Sequence, residues 1–355
     1  MILLLRINLI VFISFFIVGV AHSQHTPPDS LTKKKERRKW DKSHNIIDLT
    51  NDLSLKLFTL QRSNQITHHD GFTRRDITYK PNDDLNLGLG VSYKWLAFDF
   101  DVSLPSINND DELFGKTERL HLQAEIFLHK FVIDAAYLRY RGYYGNNPQS
   151  YDPEFDSQNP IYPIRSDIGT KNLSLSTLYI FNHEKFSYRH AFTFNEIQKR
   201  SAGSFIAGAY FSTYKMSADS SLIPYQVRDE FDTTADFRGT RYISMGAAAG
   251  YAYNLILLKH LYISATLVVG LGPVLENVPE LDGRPSERNV ESETIGIFRV
   301  GIGYNGYKWF WGVSSFLGVG GSRDKNTSYI EREVNNVRLH IGYRMKPPKL
   351  LRRIM

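Results

Sequence analysis

Between Leu85 and Ser103 the chain alternates strictly. Leu85, Leu87, Leu89, Val91 and Tyr93 hold the odd positions, and Asn86, Gly88, Gly90, Ser92 and Lys94 the even ones. After Lys94 and Trp95 the phase reverses: Leu96, Phe98, Phe100 and Val102 are apolar, and Ala97, Asp99 and Asp101 are small or acidic. Side chains of a strand point alternately to its two faces, so this pattern predicts two strands, one tight turn and a single apolar side. The opposite face is restricted to Gly, Ser, Ala, Asn and Asp, and the same pattern recurs along the chain with almost no helix to cover an apolar sheet. A closed antiparallel barrel with an apolar exterior and a polar interior meets both conditions, because it has no edge and satisfies its backbone internally.

Composition agrees with strands that cross a bilayer. Tyr and Phe number 21 and 22, yet mean hydropathy is −0.32, as expected when every second residue of a strand is polar. No internal run approaches the roughly 18 apolar residues that a spanning helix needs. The long apolar run is at the start: Arg6 precedes Leu9 to Val20, and Ala21-His22-Ser23 places small residues where a signal peptidase reads, predicting a leader at 1–23. The absence of cysteine excludes a lipoprotein anchor and a disulfide scaffold.

The formal charge of +6 does not indicate nucleic-acid binding. Lys33 to Lys42 (KKKERRKWDK) holds seven basic and two acidic residues, and a second basic group closes the chain at Arg344, Lys346, Lys349, Arg352 and Arg353. The excess therefore sits in tails, read as solvated segments in preference to a binding arm. The expected organisation is a leader at 1–23, a basic periplasmic linker at 24–51, an outer-membrane barrel at 52–346 and a basic periplasmic tail at 347–355.

Strands are expected near Leu53 to Leu60, Leu85 to Ser103 (two), Leu120 to Ile126, Ile133 to Tyr137, Leu173 to Phe181 and Phe186 to Phe194. Others are expected at Phe205 to Tyr214, Tyr242 to Tyr253, Leu261 to Leu271, Thr294 to Tyr304, Trp309 to Val319 and Val337 to Met345. Near Ile297 and Phe298 the apolar phase slips, which predicts a bulge. The visible runs number thirteen, whereas bacterial single-chain barrels have even counts. Placing the turns at Lys94, His129, Asn182, Leu255 and Asn305 on the periplasmic side requires one more strand between Phe205 and Tyr242. Leu222 to Val227 is the candidate, giving 14 strands, with 12 as the alternative. Aromatics at strand ends, among them Trp95, Tyr140, Tyr143, Tyr144, Tyr253, Tyr307 and Trp309, read as interfacial girdles.

Alternation also assigns the lumen. Asp99, Asp101, Arg119, His121, Glu125, Asp134, Arg338, His340 and Arg344 point inward, because a base facing lipid at the midplane costs about 2–4 kcal/mol. The later strands point in Ser244, Gly246, Ala248, Gly250, Ser264, Thr266, Gly270, Gly301 and Gly303, so one wall is charged and the other low and smooth. The charged wall is either an ion-pair network that fills the barrel or a constriction that selects polar solutes. A hydrolase is disfavoured: Ser201, Ser204, His121 and His190 are present without a Gly-x-Ser-x-Gly elbow. His68, His69 and Asp70 read as a solvated loop tip before a metal site, and no cofactor is expected. The acidic stretches Asn108 to Glu112 and Glu276 to Glu291 read as hydrated loops before divalent-ion sites shared with lipopolysaccharide phosphates.

Several phrases resemble an uncharacterised family of predicted outer-membrane proteins found in Bacteroidota, a domain of unknown function. They are Tyr79-Lys80-Pro81-Asn82 leading into the Leu-Gly-Leu-Gly-Val-Ser-Tyr-Lys-Trp-Leu hairpin, Ser201-Ala202-Gly203-Ser204, Ser220-Ser221-Leu222-Ile223-Pro224, Gly250-Tyr251-Ala252-Tyr253 and Gly342-Tyr343-Arg344. The resemblance spans roughly Asn45 to Lys349 and implies a barrel in the outer membrane without supplying an activity. The expectation is an all-β transmembrane antiparallel barrel with both termini periplasmic, serving passage or binding of a small polar solute. A plugged structural or surface-adhesion barrel, resting on the loops Gly145 to Thr170 and Pro273 to Glu291, is the rival, and a lipid-modifying enzyme is third. Its partners would be outer-membrane lipid, lipopolysaccharide and the barrel-assembly machinery, with no nucleic acid.

Overall fold

The computed structural model describes residues 45–82, 85–94, 96–103, 110–128, 130–152, 154–158, 160–278, 287–322 and 328–348. The leader, most of the linker and the tail beyond 348 lie outside these residues, as do Trp95 and His129. Among the described residues the strands are β1 Ile46–Asp48, β2 Leu53–His69, β3 Asp76–Lys80, β4 Leu85–Tyr93, β5 Leu96–Ser103, β6 Glu118–Phe127, β7 Phe131–Gly145 and β8 Ile164–Ile180. They continue with β9 Glu196–Gln198, β10 Ala202–Ser217, β11 Gly239–Leu257, β12 Leu261–Val278, β13 Glu287–Asn305, β14 Trp309–Ser322 and β15 Tyr329–Met345. Two short helices, α1 Asp111–Phe114 and α2 Arg189–Phe192, accompany them.

Antiparallel pairing runs from β7 through β8, β10, β11, β12, β13, β14 and β15 to β2, where Met345 opposes Leu53. The circuit from β2 back to β7 closes in two ways. At the end opposite the terminal end, where Leu53 and Met345 lie, β3 bridges β2 and β7 through pairs such as Ile66↔Tyr79 and Tyr79↔Gly145, closing ten strands. At the terminal end β4, β5 and β6 are inserted in that gap, so twelve strands are met in turn. A barrel's diameter grows with strand number, so this insertion widens the terminal end. Among the described residues no circuit of fourteen strands is formed.

The alternation defines the two faces. Leu89, Phe100, Leu122, Phe205, Leu267 and Phe298 point outward and are exposed, Phe100 and Phe205 by about 70%. Apolar residues on this side come from every strand of the terminal-end circuit, forming a belt that the described residues leave exposed. Inward glycines make room for large neighbours. A Cβ on Gly88 would stand 2.2 Å from the Phe58 ring, one on Gly342 2.1 Å from Phe310, and one on Gly90 within 2.5 Å of both Asp99 and Lys56. The small positions of the opening hairpin are thus the spaces that inward rings and an ion pair occupy.

Three expectations are corrected. Phe186 to Phe194 is not a strand: it carries α2 and lies inside the barrel. Leu222 to Val227 is not a strand either, since Tyr225–Glu230 forms a 3-10 helix in a long loop. Both errors came from counting the first segment as a wall strand, which broke the parity that the second was needed to repair. Finally, β13 pairs without interruption from Thr294 to Tyr304 with both neighbours, so there is no bulge at Ile297. Ile295 and Ile297 face inward because the lumen holds apolar material. The register shift that does occur is at Gly142 in β7, whose φ of 94° favours glycine.

Candidate functional site

The terminal end of the lumen is filled by the segment between β8 and β10. Phe186 and Tyr188 pack with Val132, Leu178, Ile206, Ala248, Ala252 and Val268, which are inward residues of the surrounding wall. Phe194 stacks on Phe310 with ring centroids 4.6 Å apart. The low wall that the sequence shows on β11 and β12 is therefore the seat of this plug. Its backbone is held by side chains from the wall: Asn254 donates to the Ser187 carbonyl at 2.9 Å, and Asn305 donates to the carbonyls of His190 and Glu196 at 2.8 and 3.0 Å. Arg344 donates to the Phe194 carbonyl at 2.6 Å, and also to the Gly306 carbonyl and the Asn305 side chain. Phe194 has a φ of 61°, a left-handed conformation that a bulky residue adopts only when its surroundings impose it. Strand β9 of the plug pairs with β1, which ties the plug to the start of the described chain.

His190 lies fully buried at the centre of this plug. Its Nδ1 accepts from the Gln198 backbone N–H at 3.0 Å, which places the ring proton on Nε2. Burial, with the charge of Arg344 added, pushes its pKa down to about 3, so the ring is neutral.

The loop 218–238 folds into the far end. Leu222, Ile223, Val227, Phe231 and Phe237 are buried among Ile66, Ile77, Tyr143, Ile168, Tyr214, Tyr242 and Ile330, again inward residues of the wall. The Tyr79 hydroxyl donates to the Leu222 carbonyl, Arg165 donates to the Ser221 carbonyl at 3.0 Å, and the Asp219 N–H donates to Asp167 at 3.0 Å. Asp70 in the β2–β3 turn accepts from the Asp232 N–H at 2.7 Å and from the Thr73 hydroxyl at 2.7 Å. Burial would raise its pKa, but these donors outweigh it and hold the carboxyl below the usual range. His68 is buried with Phe237 edge-on at 4.7 Å, and His69 pairs with Asp76, so neither is the solvated loop tip expected.

Beside the plug, lined by Phe192 and Phe194 and by inward residues of the wall, is a chamber of about 290 Å³. Asp99 on its border sits 2.9 Å from Lys56 and pairs also with Arg338, whose guanidinium lies 4.4 Å from the centre of the Phe58 ring. Arg62 grips Asp101 through two bonds of 2.8 Å. Arg299 reaches Asp134 at 3.4 Å, joining β13 to β7 across the lumen, and Arg332 pairs with Glu293. His121, Asn172, Tyr210, Ser244, Phe192, Phe194 and Phe316 complete much of the lining. Buried polar atoms without a hydrogen-bond partner among the described residues include His121 Nδ1, Asp134 Oδ1, Asn172 Oδ1, Ser244 Oγ, Glu293 Oε2 and both ring nitrogens of His340. Such atoms are costly when dry, so their convergence on one space marks it as a polar site.

Of the residues assigned inward from the sequence, Asp99, Asp101 and Arg338 share one cluster, while His121, Asp134 and His340 line the chamber. Arg119 donates to Asn86. Arg344 does not belong to the charged wall: it sits at the terminal end and holds the plug. The side chain of Glu125 lies outside the described residues. Lys56, Arg62, Glu293, Arg299 and Arg332 were missed. Counting back by twos from Gly303 and Gly301 reaches Arg299 and Glu293, and counting on from Ser54 reaches Lys56 and Arg62. Ser201 accepts from the Ile256 N–H and Ser204 donates to the Phe205 carbonyl, so both hydroxyls are engaged in backbone bonds. Glu276 is buried and bonded to Thr240 at 2.9 Å, not free in a hydrated loop. No group of three or more metal-ligating side chains occurs among the described residues.

A search of curated proteins finds no match. Among solved structures the chain is similar to the outer membrane protease OmpT of Escherichia coli, at 10% identity and a TM-score of 0.37, over 84% of this chain and 98% of that one. It is also similar to a FadL homologue of Pseudomonas aeruginosa, at 9% identity and a TM-score of 0.25, over 82% and 90%. A third is an outer membrane channel of Pseudomonas putida F1, at 11% identity and a TM-score of 0.29, over 83% and 96%. At these values no function passes from them to this chain. Residues 46–345 match the model of a family described as a domain of unknown function (DUF4421), and with that span covered the chain belongs to this family.

Proposed function

We propose that the protein is an outer-membrane barrel, termini on the periplasmic side, whose lumen is closed at both ends and encloses a binding chamber for a small polar solute. The unbroken outward belt of exposed apolar side chains supports the membrane setting, since water would disfavour so large a patch. The observation that carries the function is the chamber itself: about 290 Å³, with unpartnered polar atoms converging on it from several strands. That volume stands near the lower end of small-molecule sites, about 300–1,000 Å³. Passage is then conditional on displacement of plug or cap, and no catalytic role is assigned.

A structural barrel with a filled lumen is the second reading, favoured by the mutual pairing of the lumen charges. Equilibrium dialysis of the purified protein against a panel of anionic, cationic and neutral solutes separates the two. Retention of one class, abolished when Ser314→Phe or Ser244→Phe fills the chamber from either wall, is the expected result. Retention of none, with both substitutions silent, leaves the structural reading.

A further inference from the structure

We propose that the chamber takes a neutral polyhydroxylated ligand of monosaccharide size, a sugar or cyclic polyol. This rests on the reading of the chamber as a solute site and names the solute's chemistry. The strand register sets three hydroxyls in one cross-strand row: Ser174 on β8 opposes Ser212 on β10, and Ser212 opposes Ser244 on β11. All three line the chamber. Neighbouring strands lie about 4.8 Å apart, so the row offers hydroxyls at that interval. In the next inward row, two residues along, Ser176 opposes Tyr210, and both again line the space. Ser244 and Tyr210 are buried, and neither hydroxyl has a hydrogen-bond partner among the described residues. A ligand hydroxyl placed against each removes the cost of leaving it unpaired. Beyond β12 and β13, Ser314 on β14 and Asn336 on β15 bring further neutral polar groups to the lining.

Two properties of this lining select the ligand class. A hydroxyl both donates and accepts, so a row of them is matched by a solute that carries several such groups around its edge. A solute with one charged head engages one place on the wall and leaves the other hydroxyls bare. The lining also includes apolar surface, with Phe192 and Phe194 from the plug and Ile295 and Phe316 from the wall. A sugar or inositol ring has an edge of hydroxyls and a face of C–H bonds, and that face packs against the electron-rich faces of aromatic rings. Such a ring enters a partly dry space without giving up the hydration of a charge. At about 290 Å³ the chamber suits a single ring in place of an oligosaccharide.

The test uses four neutral probes, glucose, galactose, mannose and myo-inositol, against three controls of like size: glucuronate, glucosamine and cyclohexanol. Binding to the purified protein is measured by equilibrium dialysis in dodecyl-dimethylamine oxide, a detergent whose headgroup is not a sugar, with heat-modifiable migration confirming the fold of each variant. At least one neutral probe should bind about tenfold or more tightly than any of the controls. Ser174→Ala, Ser212→Ala and Ser244→Ala, each too small a change to disturb a strand, should weaken it about three- to tenfold apiece. Glucuronate or glucosamine bound more tightly than the neutral probes overturns the neutral assignment, and cyclohexanol bound as tightly overturns recognition by hydroxyls. Affinity unchanged in all three serine variants overturns the row as the binding element. Retention of none of these probes, while a solute of another class is retained and then lost in Ser314→Phe, overturns the sugar assignment and leaves the chamber reading. Retention of nothing overturns both.

Discussion

At the residue scale the plug depends on a few polar side chains that satisfy its backbone from the wall. Arg344 spans three acceptors, on Phe194, Gly306 and Asn305. Arg344→Met leaves buried acceptors without donors and should weaken seating of the plug by about 2–4 kcal/mol. Trypsin cleavage at Lys185, Arg189 or Lys199 in the folded barrel reads this directly. Arg344→Lys should restore little of the loss, since one ammonium does not reproduce the planar fork. His190 supplies a pH dependence with a definite sign. Its pKa is about 3 when seated and 6.5 when free, so an unseated plug binds the additional proton between those values. The contribution of a neutral His190 is complete above pH 6.5 and is lost as pH falls toward 3. At pH 5 seating should be weaker by about 2 kcal/mol than at pH 7.5. Amide exchange across 186–198 measures it, after correction for intrinsic rates. Equal protection at the two pH values, or a dependence that survives His190→Phe, contradicts this origin.

At the element scale the glycine rows decide how the wall and its contents fit together. Gly90 lies between Lys56 and Asp99 in one cross-strand row, and a side chain there would separate the pair. Gly90→Val should cost about 1–3 kcal/mol in thermal or urea unfolding, whereas Gly296→Ala, with nothing within 4 Å of its Cβ, should cost under about 1 kcal/mol. The barrel class and part of the inward-facing set, Asp99, Asp134 and His340 among them, were legible in the sequence because an apolar exterior and a crowded interior impose period two on the strands. What lies inside a barrel leaves no comparable period. Phe186, Tyr188, His190, Phe192 and Phe194 alternate as a strand would, yet they belong to a plug whose two sides meet different walls. Strand ends were also placed short: β8 begins at Ile164 and β12 runs to Val278, inside stretches read as loops, because side chains beyond the apolar belt no longer alternate. The inward isoleucines of β13 read as a phase slip for the same reason, since nothing in the sequence alone shows that the lumen contains apolar groups.

At the scale of the whole molecule the two proposed closures of the lumen, plug and cap, are built of different contacts. The plug is held by side chains donating to its backbone carbonyls together with the packing of Phe186, Tyr188 and Phe194, and the cap by apolar burial with Asp70, Tyr79 and Arg165 as latches. Two barriers in series transmit nothing while either remains. The most direct measurement is therefore ion conductance in a planar bilayer for four proteins: the unaltered chain, one with 184–200 replaced by a short Gly-Ser linker, one with 219–236 replaced likewise, and one with both. The account predicts silence from the first three and discrete, salt-dependent steps from the fourth. Steps from the unaltered chain, or from either single replacement at the full conductance of the double one, would contradict a lumen closed at both ends.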